Sequence, residues 1–287
     1  MAEAKIGIIG GSGLYGIDGM RDVQEANIKT PFGEPSDTIH IGTLEGVRIA
    51  FLPRHARGHK INPTNIQARA NIWALKSLGV EKIISVSAVG SLKEEIKPGD
   101  LVIPDQIIDR TKGRIDTFFT SGIVVHVSMA EPYCAELSKI MLGASHKTSI
   151  AVHMGGTYIA MEGPQFSTKA ESNLYRSWGA SVIGMTALPE AKLTREAEMC
   201  YTALCFATDY DCWRENTEAV TAEMILMTLR QNVETSKQIL KYAVSNLSGE
   251  RKCSCNAALR YAIATAPNSI NLNTKKQYSL LIDKYVK

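Results

Sequence analysis

The chain has 287 residues, 45% of them hydrophobic, and a net charge of +3. That size and apolar content suit one large α/β domain or two small ones, and the near-neutral balance gives no argument for nucleic acid or an anionic membrane as partner. No apolar run approaches the roughly 20 residues of a membrane span. The N-terminal MAEAKIGIIG carries charge where a signal peptide has its apolar stretch, so a soluble, cytoplasmic protein is expected.

The first predicted strand, Lys5–Ile9, runs into glycines. Gly11-Ser-Gly13-Leu-Tyr-Gly16 fits the dinucleotide fingerprint letter for letter. That fingerprint needs a strand, a helix opening at the last glycine, and an acid about 20 residues on. The strand is there. The helix is not, because Gly19, Pro31, Gly33 and Pro35 break the segment after Gly16. Asp22 and Glu25 sit near the right distance, but no second strand is expected to carry them. A nicotinamide-dependent oxidoreductase is therefore disfavoured. What remains is a glycine-rich turn that displays Ser12 and backbone N–H groups, a device that binds anions. A plain tight turn explains the same glycines.

Further along, Arg48–Leu52 reads as a strand and ends in Pro53-Arg-His-Ala-Arg-Gly-His59. A helix is expected over Asn65–Leu78. Strand Lys82–Val86 leads into Ser87-Ala-Val-Gly-Ser-Leu92, and short strands come next at Leu101–Ile103 and Thr157–Met161. Thr168-Lys-Ala-Glu171 is a capping box that opens a helix ending before Gly179. Ser181–Gly184 is a strand running into Met185 and Thr186. Pro189 suits the first turn of a helix reaching about Met199. Tyr201–Ala207 is a strand ending in Thr208-Asp-Tyr-Asp211. Thr221 caps a long helix with Ile225, Leu226, Leu229, Val233, Leu240, Val244 and Leu247 on one side. Alternating strands and helices imply an α/β sandwich: one domain over 1–265, with a central mixed, twisted sheet flanked by helices. The tail, 266–287, is polar and expected at the periphery, with Leu280, Leu281 and Ile282 able to dock.

In an open α/β sheet, ligands collect at the carboxyl ends of strands. Ser12, Arg54, His55, Ser87, Ala88 and Thr186 are all expected at such ends, and their hydroxyls, backbone amides and guanidinium make a phosphate-sized cradle. Asp209 and Asp211 close another strand. A carboxylate pair can take different protonation states, one giving a proton to a ring nitrogen and the other accepting from an amine. A metal is not expected. His55 and His59 have no evident third ligand, and the two aspartates lack a supporting cluster. Cys253-Ser-Cys255 would need further thiols or histidines to hold zinc, and none lies nearby in sequence. Free thiols are expected for all six cysteines.

Ser87-Ala-Val-Gly-Ser-Leu92 resembles the signature of the trimeric purine nucleoside and methylthioadenosine phosphorylases. Gly10-Gly-Ser-Gly13, Arg54-His55, Asn71-Ile-Trp-Ala-Leu75, Met129-Ala-Glu-Pro132, Glu162-Gly-Pro-Gln-Phe-Ser167, Gly184-Met-Thr186 and Thr208-Asp-Tyr-Asp211 resemble the methylthioadenosine branch, in order, across about residues 5 to 260. The resemblance implies the nucleoside phosphorylase fold and phosphorolysis of methylthioadenosine. It leaves open a broader purine nucleoside phosphorylase that accepts adenosine or 6-oxopurine nucleosides. It implies that Ser12, Arg54, His55, Ser87, Ala88 and Thr186 hold phosphate, with no cofactor. Met185 would lie against the ribose, and Glu162, Phe166 and Ser167 would belong to the base pocket. Asp209 would face the adenine ring, with Asp211 beside it. Ala222, Ile225 and Leu226 would receive the methylthio group, and His126 would reach in from the next subunit of a trimer or of a pair of trimers. Gln165 stands where the family usually has Arg, which would remove a cation near Glu162. Ala56 and Gln67-Ala68 are further departures. Archaeal relatives carry a similar C-x-C near the C-terminus and use disulfides.

Overall fold

The computed structural model describes residues 4–14, 16–214 and 222–286, with the backbone alone at 222–227 and 229. Along the chain lie β1 (Ile6–Gly10), β2 (Arg21–Ala26), β3 (Ile39–Leu44), β4 (Val47–Pro53), α1 (Ala68–Ser77), β5 (Lys82–Ser91), β6 (Leu101–Ile103), β7 (Gln106–Arg110) and α2 (Ala135–Ser145). They are followed by β8 (Val152–Met154), β9 (Thr157–Met161), α3 (Lys169–Ser177), β10 (Val182–Gly184), α4 (Ala187–Glu196), β11 (Cys200–Asp209), α5 (Ala222–Leu247) and α6 (Leu272–Ile282). Every strand expected from an apolar run forms. Of the others, β2 is almost wholly exposed, β8 has only 3 residues, and β3 is a largely buried strand that the sequence reading did not pick out.

The sheet is mixed, and β5 is its spine. In the order β2-β3-β4-β1-β5-β10-β9-β7, the strand β5 pairs in parallel with β1 and antiparallel with β10. β11 also pairs with β5 in parallel, over most of its length. Residues along β11 alternate between two cores, as a two-sided buried strand requires. Tyr201, Ala203, Cys205 and Ala207 belong to one, while Cys200, Leu204 and Phe206 belong to the other. Residues of α1, α4 and α6 fill the first core, and residues of α2 and α5 the second.

Two expectations change. A strand does carry Asp22 and Glu25: β2 pairs antiparallel with β3 at the sheet's edge. It is half of a hairpin, not the second strand of a βαβ unit, so the fingerprint still fails. The glycines serve close approach instead. A Cβ on Gly11 would meet the Val86 carbonyl oxygen at 2.4 Å, and Gly13 adopts φ +81°. The tail, finally, is not peripheral. α6 is N-capped by Asn271, and Tyr278, Leu281, Ile282 and Val286 enter the first core. Its apolar residues recur at helical spacing between lysines, which hides them in a composition count.

Candidate active site

β1, β4 and β5 are parallel neighbours, so the turn after β1 and the start of the loop after β4 lie beside the middle of β5. Ser87 and Ala88 lie within β5, not past its end as the sequence suggested. Thr186 reaches them because β10 runs antiparallel to β5 and descends from Ser91 toward Ser87. The Thr186 and Ser87 hydroxyls are 3.1 Å apart. Ser12, Ser87 and Ala88 line a small cavity of about 10 Å³, together with Val86, Phe206, Asn232 and Val233.

Arg54 organises this cluster. Its guanidinium is 1% exposed. Nη1 donates to the Val86 carbonyl at 3.0 Å and to Ser87 Oγ and Thr186 Oγ1, each at 3.2 Å. Nη2 donates to the Ile9 carbonyl at 3.1 Å and to Ser85 Oγ at 2.7 Å. Nε lies 2.8 Å from Glu190 Oε1 on α4. The charge is thus paired inside the protein, and the two Nη groups orient hydroxyls and carbonyls, while Nε makes no hydrogen bond of its own. His55 comes next, at the end of β4. A carbonyl can only accept, so its Nδ1 donates to the Ile61 carbonyl at 2.8 Å. Burial first, then the Arg54 charge, push its pKa down to about 4. The ring is neutral at physiological pH, with Nε2 as an acceptor. His55 and His59 stack at 4.4 Å between ring centroids, an arrangement of rings rather than of metal ligands.

The carboxylates come from the end of β11. Pairing with β5 slips between Ala207 and Asp209, a bulge that re-aims Asp209. Asp209 Oδ2 accepts from the Thr208 hydroxyl at 2.7 Å, and Oδ1 accepts from the Asp211 backbone N–H at 2.7 Å. Asp211 sits at φ +51°, a conformation that Asp tolerates better than most residues. Its Oδ1 accepts from Ser167 Oγ at 3.3 Å. Both carboxyls lie against Gly90, where a Cβ would be 3.1 Å from Asp209 Oδ1 and 3.2 Å from Asp211 Cβ. Burial raises both pKa values, although hydrogen bonds oppose it in each. Asp209 is opposite Gly90 in register, three residues from Ser87 along β5, or about 10 Å. That gap spans a sugar ring.

Met185, adjacent to Thr186, packs against the Glu162 loop; a Cβ on Gly163 would be 2.5 Å from its Sδ. Arg114, which the sequence reading missed, ties the two together. Its side chain is 3% exposed, and it donates to the carbonyls of Met161, Glu162, Met185 and Leu188. Its Nε donates to Glu162 Oε1 at 3.2 Å. Glu162 also accepts from Thr64 Oγ1 and the Lys112 N–H, each at 2.6 Å. Burial raises the Glu162 pKa, and these bonds outweigh it, bringing the value down to about 2. The cation that pairs with Glu162 here is Arg114, and Gln165 is exposed. Phe166, in the same loop, is largely exposed.

Asn232 on α5 is the other residue missed. It is buried in the cavity with Ser12 and Ser87, and its Nδ2 has no hydrogen-bond partner. A lone amide on an amphipathic helix gives no signal in sequence. The side chains of Ala222, Ile225 and Leu226 lie outside the described residues. His126 is elsewhere in its own chain: its N–H donates to the Ala262 carbonyl, and it lines a separate cavity of about 680 Å³ with Phe119, Glu196 and Thr265.

The model of the phosphorylase superfamily matches residues 5–245. An S-methyl-5'-thioadenosine phosphorylase from Geobacter sulfurreducens is 54% identical over 99% of this chain and 100% of its own. One from Chloroflexus aurantiacus is 52% identical over 99% of each chain. A crystal structure of a methylthioadenosine phosphorylase sourced from an antarctic soil metagenomic library superposes with TM-score 0.94, at 46% identity, covering 98% of this chain and 100% of that one. A methylthioadenosine phosphorylase from Schistosoma mansoni, in complex with adenine, superposes with TM-score 0.87 at 35% identity, covering 91% and 99%.

Proposed function

The chain belongs to the phosphorylase superfamily, in its methylthioadenosine phosphorylase branch, and from that premise we propose that it catalyses reversible phosphorolysis of S-methyl-5'-thioadenosine to adenine and 5-methylthioribose 1-phosphate. One observation carries the reading: the half-buried Asp209 carboxyl, re-aimed by the bulge at the end of β11, stands a sugar's length along β5 from a cluster of oriented hydroxyls.

Breaking the glycosidic bond develops positive charge on the ribose and negative charge on the base. Asp209, favoured in its protonated form by burial, gives its proton to N7 of adenine as the bond lengthens. Asp211 and Ser167 hold the edge of the base. Phosphate sits among Ser12, Ser87, Thr186, the Ala88 backbone and His55, stabilises the ribose cation and then attacks it. Preorganised donors in a site with little water account for most of such an effect. Arg54 acts through others, aiming the Ser87 and Thr186 hydroxyls. Phosphate is larger than the cavity of about 10 Å³, so binding widens it beside Asn232 and Val233. Met185 packs under the ribose, and Glu162 and Phe166 shape the base pocket. The role of Ala222, Ile225 and Leu226 in receiving the methylthio group rests on the family resemblance alone. His126 completes a neighbour's site in a homotrimer. Phosphate is the co-substrate, and the chemistry uses no further cofactor.

The test is adenine release from methylthioadenosine, measured with and without phosphate. Release that saturates with phosphate supports the reading. Release at the same rate without phosphate would make the protein a hydrolase.

A further inference from the structure

Four cysteines far apart in sequence converge. Cys134 precedes α2, Cys200 opens β11, and Cys253 and Cys255 come after α5. Their Sγ atoms all lie within 4.8 Å of one another. The Cys200 and Cys253 sulfurs are 3.3 Å apart. Cys134, Cys200 and Cys255 are buried, and Cys253 is half-buried. This overturns the expectation that Cys253 and Cys255 lack partner ligands. The partners are 53 or more residues away in sequence, so no local spacing announces them.

We propose that Cys134, Cys200, Cys253 and Cys255 form a tetrathiolate site for a soft divalent cation of the zinc class. A tetrahedron with metal–sulfur bonds of about 2.3 Å has sulfur–sulfur edges of about 3.8 Å. The 3.3 Å Cys200–Cys253 separation and the 4.8 Å ceiling for all four sulfurs bracket that value. Convergence of all four sulfurs on one point is more than a pairwise bridge requires. Cys205 and Cys212 stand outside the cluster. Binding is coordination without redox: four thiols release four protons, and one dication enters. The site then carries two net negative charges. Arg195 Nη1, 3.6 Å from Cys255 Sγ, and the N-terminal end of α2 at Cys134 offset them.

The site is structural. Cys200 is at the opposite end of β11 from Asp209, nine residues or about 30 Å away. It staples the segment after α5 to the sheet. That segment continues to Leu259, whose N–H donates to Glu198, and to Ala262, whose carbonyl accepts from the His126 N–H.

The experiment uses the full chain, purified under reducing conditions without a metal-affinity column. Mass spectrometry under native conditions and elemental analysis should find one zinc per chain. Replacement by cobalt(II) should give thiolate charge-transfer bands and the d–d bands of a tetrahedral ion. Cys253→Ser and Cys255→Ser should each lose the metal and melt several degrees lower, while Cys212→Ser keeps it. Stripping the metal should lower Tm and leave kcat/KM at low temperature unchanged. Folded, reduced wild-type protein that takes up neither zinc nor cobalt would overturn the proposal. So would a native mass short of two hydrogens per cysteine pair, the mark of disulfides. The cobalt titration needs only wild-type protein, so poorly folding variants do not blunt the test.

Discussion

Replacing Asp209 by Asn removes the proton and keeps the shape. The structure shows why the amide fits. Its oxygen, in the place of Oδ1, would still accept from the Asp211 N–H, which now donates at 2.7 Å. Its nitrogen, in the place of Oδ2, would donate to Thr208 Oγ1, whose proton is free to turn to the Val89 carbonyl, already 3.2 Å away. No buried donor or acceptor is stranded, so the structural cost should stay below about 1 kcal/mol. Linkage points the same way. Burial raises the folded pKa of Asp209 above its unfolded value. Its contribution to stability is full below the unfolded pKa and is lost as pH rises through the folded one. At neutral pH the variant should therefore melt at or above wild type. Loss of a general acid is worth about 10²–10⁴ in rate, or roughly 3–5 kcal/mol of transition-state stabilisation. The assay is kcat/KM on methylthioadenosine and on inosine, with a thermal melt alongside. An amide facing the 6-oxo group should raise relative efficiency on inosine. Equal loss on both nucleosides with a lower Tm would refute the reasoning, because it is the signature of a structural carboxylate.

Asn232→Ala should raise KM for phosphate about tenfold and leave KM for nucleoside unchanged, as expected for one buried hydrogen bond; steady-state kinetics with each substrate varied in turn checks it. Arg114→Gln strips a buried cation from Glu162 and the Met185 carbonyl, and should raise nucleoside KM more than phosphate KM. Arg54→Ala leaves Glu190 buried without its cation and should destabilise the fold by about 3–5 kcal/mol, as denaturant melts would read. The double variant Arg54→Met, Glu190→Gln should recover much of that stability while phosphate KM stays high. Burial lifts the Glu196 pKa to about 7, so its stabilising contribution is full below about 4.5 and lost as pH rises through 7. Glu196→Gln should then raise stability by about 3 kcal/mol at pH 8 and by less than about 1 kcal/mol at pH 5. Melts at the two pH values decide it.

What the sequence disclosed obeys physical rules of local pattern. Buried strands such as Arg48–Leu52 and Tyr201–Ala207 are apolar runs, and the Thr168 capping box forms with both of its hydrogen bonds. Strand ends and small residues led to Ser12, Ser87, Thr186 and the aspartates, and the sheet does gather Arg54, Ser87 and Thr186. What stayed hidden depends on long-range geometry. The role of Arg54 as an internal clamp arises from Glu190, which lies 136 positions later in the chain and reaches it from another helix. Arg114 lies in a polar loop with no periodicity, and its worth emerges only when four carbonyls converge on it. The thiol cluster needs the turn before α2 and the start of β11 to meet the segment after α5. The polar strands β2 and β7 are edges of the sheet, where the alternation that marks a half-buried strand is weak.

The central claim is that phosphate, not water, cleaves the nucleoside. Phosphorus NMR of a reaction containing methylthioadenosine and inorganic phosphate measures it directly, with adenine quantified in the same tube. One sugar 1-phosphate ester should appear for each adenine released, and running the purified ester with adenine should regenerate the nucleoside. Adenine accumulating while inorganic phosphate remains unconsumed would contradict the account.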